Sequence, residues 1–409
     1  MSQYDVIVVG ARCAGAPLAM LLARAGRSVL LLDRAEFPSD TLSTHWILRG
    51  GIELLSSWGL LDALANSGCP PIERLSVDLG DMVLSGTPLS YGAPATTYAP
   101  RRHVLDALLV RAARAAGAEV REGCAVRDVL WQGDTVVGVT GRDRRGDAFT
   151  GLARVVVGAD GRDSTVARAV AAPMTRDRGA LASTLYAYWA HLPVDGARTV
   201  VRPGRGVAMW PTHDGLTVVA LTLPRPEFLA HHTGAERLYL RSLERLPEVA
   251  GRLRGAERTG RVRAAGRVPN FFRQAHGPGW ALAGDAGQHK DPIGAHGITD
   301  AFTDADHLSR ALGQGLAGRT PMARALARYA ARRDAGRGAT FEFICRQASL
   351  APLDDDFAGL LRASAKDESL RQDLLGVFAG SLRIEEFFTP ARIRRHAPDA
   401  AGRLFPDRT

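Results

Sequence analysis

Residues 6–15 read VIVVGARCAG, an apolar run that ends with Gly10 and Gly15 five positions apart. Glycines at this spacing let a backbone turn tightly and bring unpaired N–H groups against a phosphate, as in the pattern G-x-G-x-x-G. The middle glycine, which admits a pyrophosphate most closely, is here Arg12, and Ala14 precedes the last glycine. An arginine at that position is compatible with phosphate binding if its side chain points away from the anion, and its charge could also assist. Asp33 stands 18 residues after Gly15, followed by Arg34. That is close to the spacing at which an acid after the second strand accepts hydrogen bonds from a ribose. The same residues also suit a β-α-β unit that binds no nucleotide.

Other stretches carry further candidates. PRRHVLDAL sets Arg102 just ahead of a helix, and VVVGADGRDSTVAR ends a strand on Asp160-Gly161. WALAGDAGQHKDPIGAHGITDAF ends a strand on Gly284-Asp285, loops through Pro292 and Gly294, and starts a helix near Gly297 and Ile298. His45 in DTLSTHW and His296 are candidate proton carriers, because imidazole exchanges a proton near neutrality. Tyr186, Tyr188 and Trp189 in STLYAYWAHLPV, with Trp210 on a later strand, could line a pocket for an organic molecule. Strand alternation puts the two tyrosines on one face and Trp189 on the other. Each candidate also has an ordinary reading: a turn aspartate, a helix-start arginine, a core aromatic, a structural histidine.

The elements that must position them follow from periodicity. Residues 4–9 and SVLLLD are short apolar runs suited to strands buried on both faces, with a helical pattern between them in APLAMLLARAGR. A helix is expected at 103–117, then a β-meander through CAVRDVLWQGDTVVGVTGRDRRGDAFTGLARVVVG. Between 180 and 268 the pattern alternates, interrupted by a helix over 235–253, and His213-Asp214-Gly215 is expected to be a hairpin turn. From 281 the strand-turn-helix character returns, and the remainder reads as mostly helical.

With 409 residues, two or three domains are expected. Hydrophobic and charged fractions of 46% and 23% are those of a globular protein, and no apolar run approaches a membrane span. The N-terminus lacks a signal-peptide pattern, so a cytoplasmic location is expected. Cys13, Cys69, Cys124 and Cys345 are scattered without metal-ligand spacing, which predicts neither a disulfide framework nor a metal site. The net charge of +9 is almost all arginine, with lysine only at 290 and 366. It is spread among acids rather than gathered into a stripe, so nucleic acid is not the expected partner.

Taken in order, the fingerprint, Arg102, the Asp-Gly pair and the Gly-Asp stretch resemble the FAD-dependent monooxygenases of the aromatic-hydroxylase type. That group is related to flavin halogenases and geranylgeranyl-reductase-like oxidoreductases. The resemblance implies an α/β fold: a Rossmann-like FAD-binding domain of the glutathione-reductase type, interrupted by a β-sheet substrate domain, with C-terminal helices. The FAD-binding domain would comprise 1–75, 100–175 and 269–330, the substrate domain 76–99 and 176–268, and the helical region 331–409. By the same resemblance Gly10 and Gly15 would face the FAD pyrophosphate and Asp33 the adenosine ribose, with Arg12, Ala14 and Arg34 beside them as cofactor-binding residues. Arg102 would lie near the phosphate and ribitol, and Gly284 with Asp285 would hold the ribityl chain. Pro292, Gly294, Gly297 and Ile298 would frame the flavin pyrimidine, while Asp160 and Gly161 would support FAD and a passing NAD(P)H. Arg12 and Gly287 depart from the family pattern.

The implied chemistry is NAD(P)H-driven oxygenation of a small aromatic or polyketide-like molecule with O2, through a C4a-hydroperoxyflavin. The alternative is hydride transfer without oxygen insertion, by a reductase or dehydrogenase sharing every cofactor motif. Halogenation is disfavoured: the chain has no lysine before Lys290 and no Trp-x-Trp-x-x-Pro stretch. A monomer or homodimer is expected.

Overall fold

The structure is a computed structural model that describes residues 3–231, 234–353 and 355–396. The first apolar runs form parallel strands: Gln3–Val9 lies between Val29–Leu32 and Ala148–Gly158. Trp280–Leu282 extends this sheet on the far side of Ala148–Gly158, and Glu119–Arg121 extends it beyond Val29–Leu32. Both faces are covered, which is why these strands are uninterrupted apolar runs rather than alternating ones. Val6, Val8, Leu31 and Val157 pack against the helices Gly15–Arg24, Arg102–Ala115 and Gly297–Leu316. Ile7, Val9, Leu30 and Val156 face the antiparallel meander of Ala125–Gln132 and Thr135–Arg142 and the short helix Thr165–Ala169.

A second sheet has seven strands in the order 257–265, 182–190, 217–224, 205–211, 197–202, 75–78, 83–86. All its neighbours are antiparallel except Leu75–Asp78, which runs parallel to Ala197–Arg202. The sheet is therefore assembled from two separated parts of the chain. The expected hairpin turn at His213–Gly215 joins two of its strands, with Asp214 left-handed at φ 63°. Its outer face packs Leu185, Ala187, Trp189, Val219 and Leu221 against helices within 225–253. Its inner face carries Tyr186, Tyr188, Trp210 and Val218 toward the first sheet's loops.

A three-stranded sheet of Met174–Ala180, Pro269–Arg273 and Gln288–His289 knits the two regions together. The helical region expected from 331 begins earlier. Helix Met322–Ala348 runs through that boundary and packs along Gly297–Leu316 through Leu326 and Tyr329, while its Arg333 and Arg337 bond the Gly287 carbonyl and Gln288. The shorter helices of 355–396 bury their own cluster, and Leu375 and Ala379 reach the inner face of the second sheet. Among the described residues no helix is long and apolar enough to cross a membrane. No group of His, Cys, Asp and Glu among them has metal-binding geometry.

Candidate cofactor and substrate site

The first helix starts hard against the end of the first strand, and sterics dictate glycine there. Gly10 has φ 100°, and a Cβ on it would stand 2.4 Å from the Ala159 carbonyl oxygen. A Cβ on Gly15 would stand 1.8 Å from the Gly10 carbonyl oxygen. Ala16 N–H is bonded to the Arg12 carbonyl, and the amides of Cys13, Ala14 and Gly15 just before it have no backbone partner among the described residues, which leaves them open to an anion. Ala14 touches the Gly-Asp turn: a Cβ on Gly284 would lie 2.9 Å from its methyl.

Arg12 points away from these amides. Its guanidinium pairs with the fully buried Asp106, donates to Ser39 Oγ at 3.0 Å and lies over the Phe37 ring. Arg102 donates twice to the other oxygen of Asp106 at 3.0 Å. One carboxylate thus holds two arginines, and this pairing carries the position-12 side chain toward Ser39 and Phe37. Asp285 makes no hydrogen bond among the described residues and lies within the electrostatic reach of Arg102. Its carboxylate is free for the hydroxyls of a ribityl chain.

Asp33 accepts from Ala11 N–H at 2.7 Å and Ala35 N–H at 2.8 Å, so it fixes the turn that follows the first strand. Arg34 beside it is exposed. Asp160 accepts from Ser164 Oγ and from Thr165 N–H at 2.7 Å, capping a short helix while Gly161 turns at φ 83°. Burial raises the Asp160 carboxyl above its ordinary range.

Beyond the Gly-Asp turn, Asp291 accepts from Ile293 N–H at 3.0 Å, shaping the Pro292–Gly294 turn ahead of the helix Gly297–Leu316. A Cβ on Gly297 would meet nothing within 4 Å, so this helix end opens onto free space. Ile298, by contrast, is buried in the core beneath. His296 does not face the aromatic surface. A Cβ on Gly294 would lie 3.0 Å from its ring, which shares its surroundings with Lys290, Asp300 and Arg337. Burial, with the charges of Lys290 and Arg337, pushes its imidazole down to about 4. The structure thus sets His296 among these ions at the start of the helix Gly297–Leu316, apart from the other histidine and the aromatic residues expected with it.

The inner face of the second sheet presents the other histidine. His45 sits on the loop after Val29–Leu32 in a left-handed conformation, φ 64°, and is fully buried. Its Nε2 is 2.8 Å from Tyr188 Oη, and its ring stacks on Tyr188 and meets Tyr186 edge-on. Its Nδ1 has no partner among the described residues. Burial and the positive charge of Arg102 hold the imidazole down at about 3, so it is neutral near pH 7. Burial raises the Tyr188 hydroxyl, keeping it protonated. Arg101 lies over the Tyr188 ring at 4.3 Å, and Arg263 pairs with Asp40 at 2.8 Å.

Trp210 is tilted against Trp46 at 5.6 Å, on the same face as the tyrosines. Trp189 is a correction. It packs into the outer core and donates Nε1–H to Tyr239 Oη at 3.0 Å, as its opposite parity on the strand dictates.

Several contributors escaped the sequence reading. Asp106, four residues after Arg102 on the same helix, and Trp46, next to His45, were not singled out. On helix Met322–Ala348, Tyr329, Arg333 and Arg337 recur every fourth residue, a spacing that marks one face. Tyr329 donates to the Leu282 carbonyl at 2.9 Å, Arg333 to the Gly287 carbonyl at 3.3 Å, and Arg337 to Gln288 Oε1 at 2.9 Å. Arginines spaced like core residues were the available signal.

The glycine-crowded turn, the open amides, the unbonded Asp285 and the open end at Gly297 fit FAD. The comparisons with known proteins agree. The model of the FAD binding domain family matches residues 3–342. The chain is 28% identical over 349 residues to 6-methylpretetramide 4-monooxygenase of Streptomyces rimosus, covering 81% of this chain and 80% of that one. It is 28% identical over 343 residues to digeranylgeranylglycerophospholipid reductase of Methanocella arvoryzae, covering 80% and 82%. The solved myxobacterial chondrochloren halogenase shares its fold at a TM-score of 0.79 and 23% identity, over 97% of this chain and 96% of the other. By this match the chain belongs to the FAD binding domain family and is an FAD-dependent oxidoreductase.

Proposed function

We propose that the protein is an FAD-dependent, NAD(P)H-driven monooxygenase that hydroxylates or otherwise oxygenates a small aromatic or polyketide-like molecule. The observation that carries this reading is the buried His45–Tyr188 pair, joined at 2.8 Å on an aromatic-lined face. FAD, reduced by NAD(P)H and exposed to O2, would supply the electrophilic oxygen. The turn from Gly10 to Gly15 would bind its pyrophosphate, and Asp285 its ribityl chain. Tyr186, Tyr188, Trp46 and Trp210 would stack against a flat substrate and exclude water.

Two neutral groups sharing one hydrogen bond can take a proton from a phenol or enol without a net charge being buried. His45 Nδ1 would accept the proton from the substrate, and the imidazolium so formed would keep its Nε2–H donated to Tyr188 Oη while it pairs with the phenolate or enolate it leaves. Activation of an electron-rich ring in this way serves oxygen transfer directly. The named activity of the Streptomyces rimosus relative supports the same choice.

Hydride transfer without oxygen is the second reading, favoured by the reductase of Methanocella arvoryzae. Halogenation is not supported. Lys290, the first lysine in the chain, is buried in an ion pair with Asp300 at 2.6 Å rather than free beside the aromatic face.

Turnover under oxygen-18 gas with mass analysis of the product tests the proposal. Heavy product is expected, and unlabelled product formed equally well without oxygen would overturn it. His45→Ala is expected to retain FAD and lose turnover about 100- to 10,000-fold. Full activity with flavin bound would remove His45 from the chemistry.

A further inference from the structure

The helix Gly297–Leu316 carries Asp300 in its first turn. The open N–H groups of such a helix end project a positive field, and an acid placed among them weakens that field for any second anion. Two buried cations stand against this acid. Lys290 Nζ is 2.6 Å from one Asp300 oxygen, with only 4% of its side chain exposed, and Arg337 Nε is 3.5 Å from the other. Arg337 also has an acid of its own, Asp304, at 2.7 Å. The second oxygen of Asp304 accepts from Gly284 N–H at 2.8 Å, in the Gly-Asp turn. Arg333 is occupied by Asp334 and by the carbonyls of Gly287 and Arg273. Two cations therefore meet two acids, and Lys290 is the one left for Asp300.

An ammonium stripped of water is costly to hold. Here it is one of only two lysines in a chain that otherwise uses arginine. A point charge at the start of the loop, rather than a planar fork, suits a role set by position and sign.

We propose that Lys290 tunes the bound cofactor: it cancels the charge of Asp300 at the open end of this helix, so that the reduced, anionic flavin is held more tightly than it would be without it. The inference rests on FAD lying at that helix end and not on oxygenation. A failed oxygen-18 experiment leaves it standing, and its own failure leaves the oxygenation reading intact.

The test is the reduction potential of the bound flavin, read against a reference dye without any substrate. Lys290→Met is expected to weaken reduced relative to oxidised FAD about tenfold, equivalent to about 30 mV more negative for a two-electron couple. Lys290→Arg, which keeps the charge, should match the parent. Lys290→Met/Asp300→Asn, which has neither charge, should recover most of the shift.

A Lys290→Met protein with lower thermal stability but the parent potential would show that the pair is only a staple, and would overturn the proposal. Should the single variant lose its flavin, the double variant decides. Flavin bound at the parent potential supports the proposal, whereas a shifted potential or no binding overturns it.

Discussion

Two helices pack against one another and both meet the Gly284 turn, and their N-terminal ends are built on opposite principles. Gly15–Arg24 has no acid in its first turn and is fitted by contact alone: Gly15 has no room for a methyl group. Gly297–Leu316 has open space at its first residue but a buried set of four charges behind it. The first end is rigid and discriminates by shape, as a site for an invariant pyrophosphate can be. The second is adjustable through charge, which suits a part of the cofactor whose own charge changes during the reaction. Flavoproteins that share the first end can therefore differ in the second.

Steric substitutions at the first end should have the largest effects. Gly15→Ala forces a Cβ into the Gly10 carbonyl. It should abolish flavin retention and cost about 4 kcal/mol or more of stability, visible in absorbance and thermal melting. A yellow, normally stable Gly15→Ala protein would break the contrast.

Asp106→Ala comes next, because it leaves Arg102 and Arg12 without their common partner. A loss of about 3–5 kcal/mol is expected by chemical denaturation.

At the second end, burial raises the Asp291 carboxyl to about 6. The folded protein binds that proton more tightly than the unfolded chain, so this group's contribution to stability falls as pH rises from about 4 to 6. The change is up to about 3 kcal/mol. Asp291→Asn should flatten that part of the stability profile, and an unchanged slope would assign the raised value elsewhere.

The smallest effect should come from Arg12→Gly. The partly exposed guanidinium gives up one ion pair and the Ser39 bond, for about 1 kcal/mol. FAD affinity should remain close to the parent's, because the side chain points away from the open amides.

Local features were legible in the sequence for local reasons. The β-α-β unit, the Asp-Gly and Gly-Asp turns and the hairpin at His213–Gly215 are written in adjacent residues. The parity that sends Trp189 outward was also legible, since it differs by one position from Tyr188. The partners of buried charges were not. Arg12 finds Asp106 94 positions away, and nothing near position 12 announces it. Lys290 finds its acid only because the loop through Pro292 folds back on the first turn of the next helix. His296 has the residue type of a proton carrier, but its charged surroundings, supplied from the helix Met322–Ala348 and the Lys290 loop, were not legible at position 296.

The second sheet is contributed by two pieces of chain, Leu75–Gly86 and Ala182–Ala265, joined through the parallel pairing of 75–78 with 197–202. Transplanting a relative's specificity onto this scaffold must therefore move both pieces as a set. A graft of the larger piece alone would expose an unmatched strand edge and invite aggregation instead of a new substrate preference.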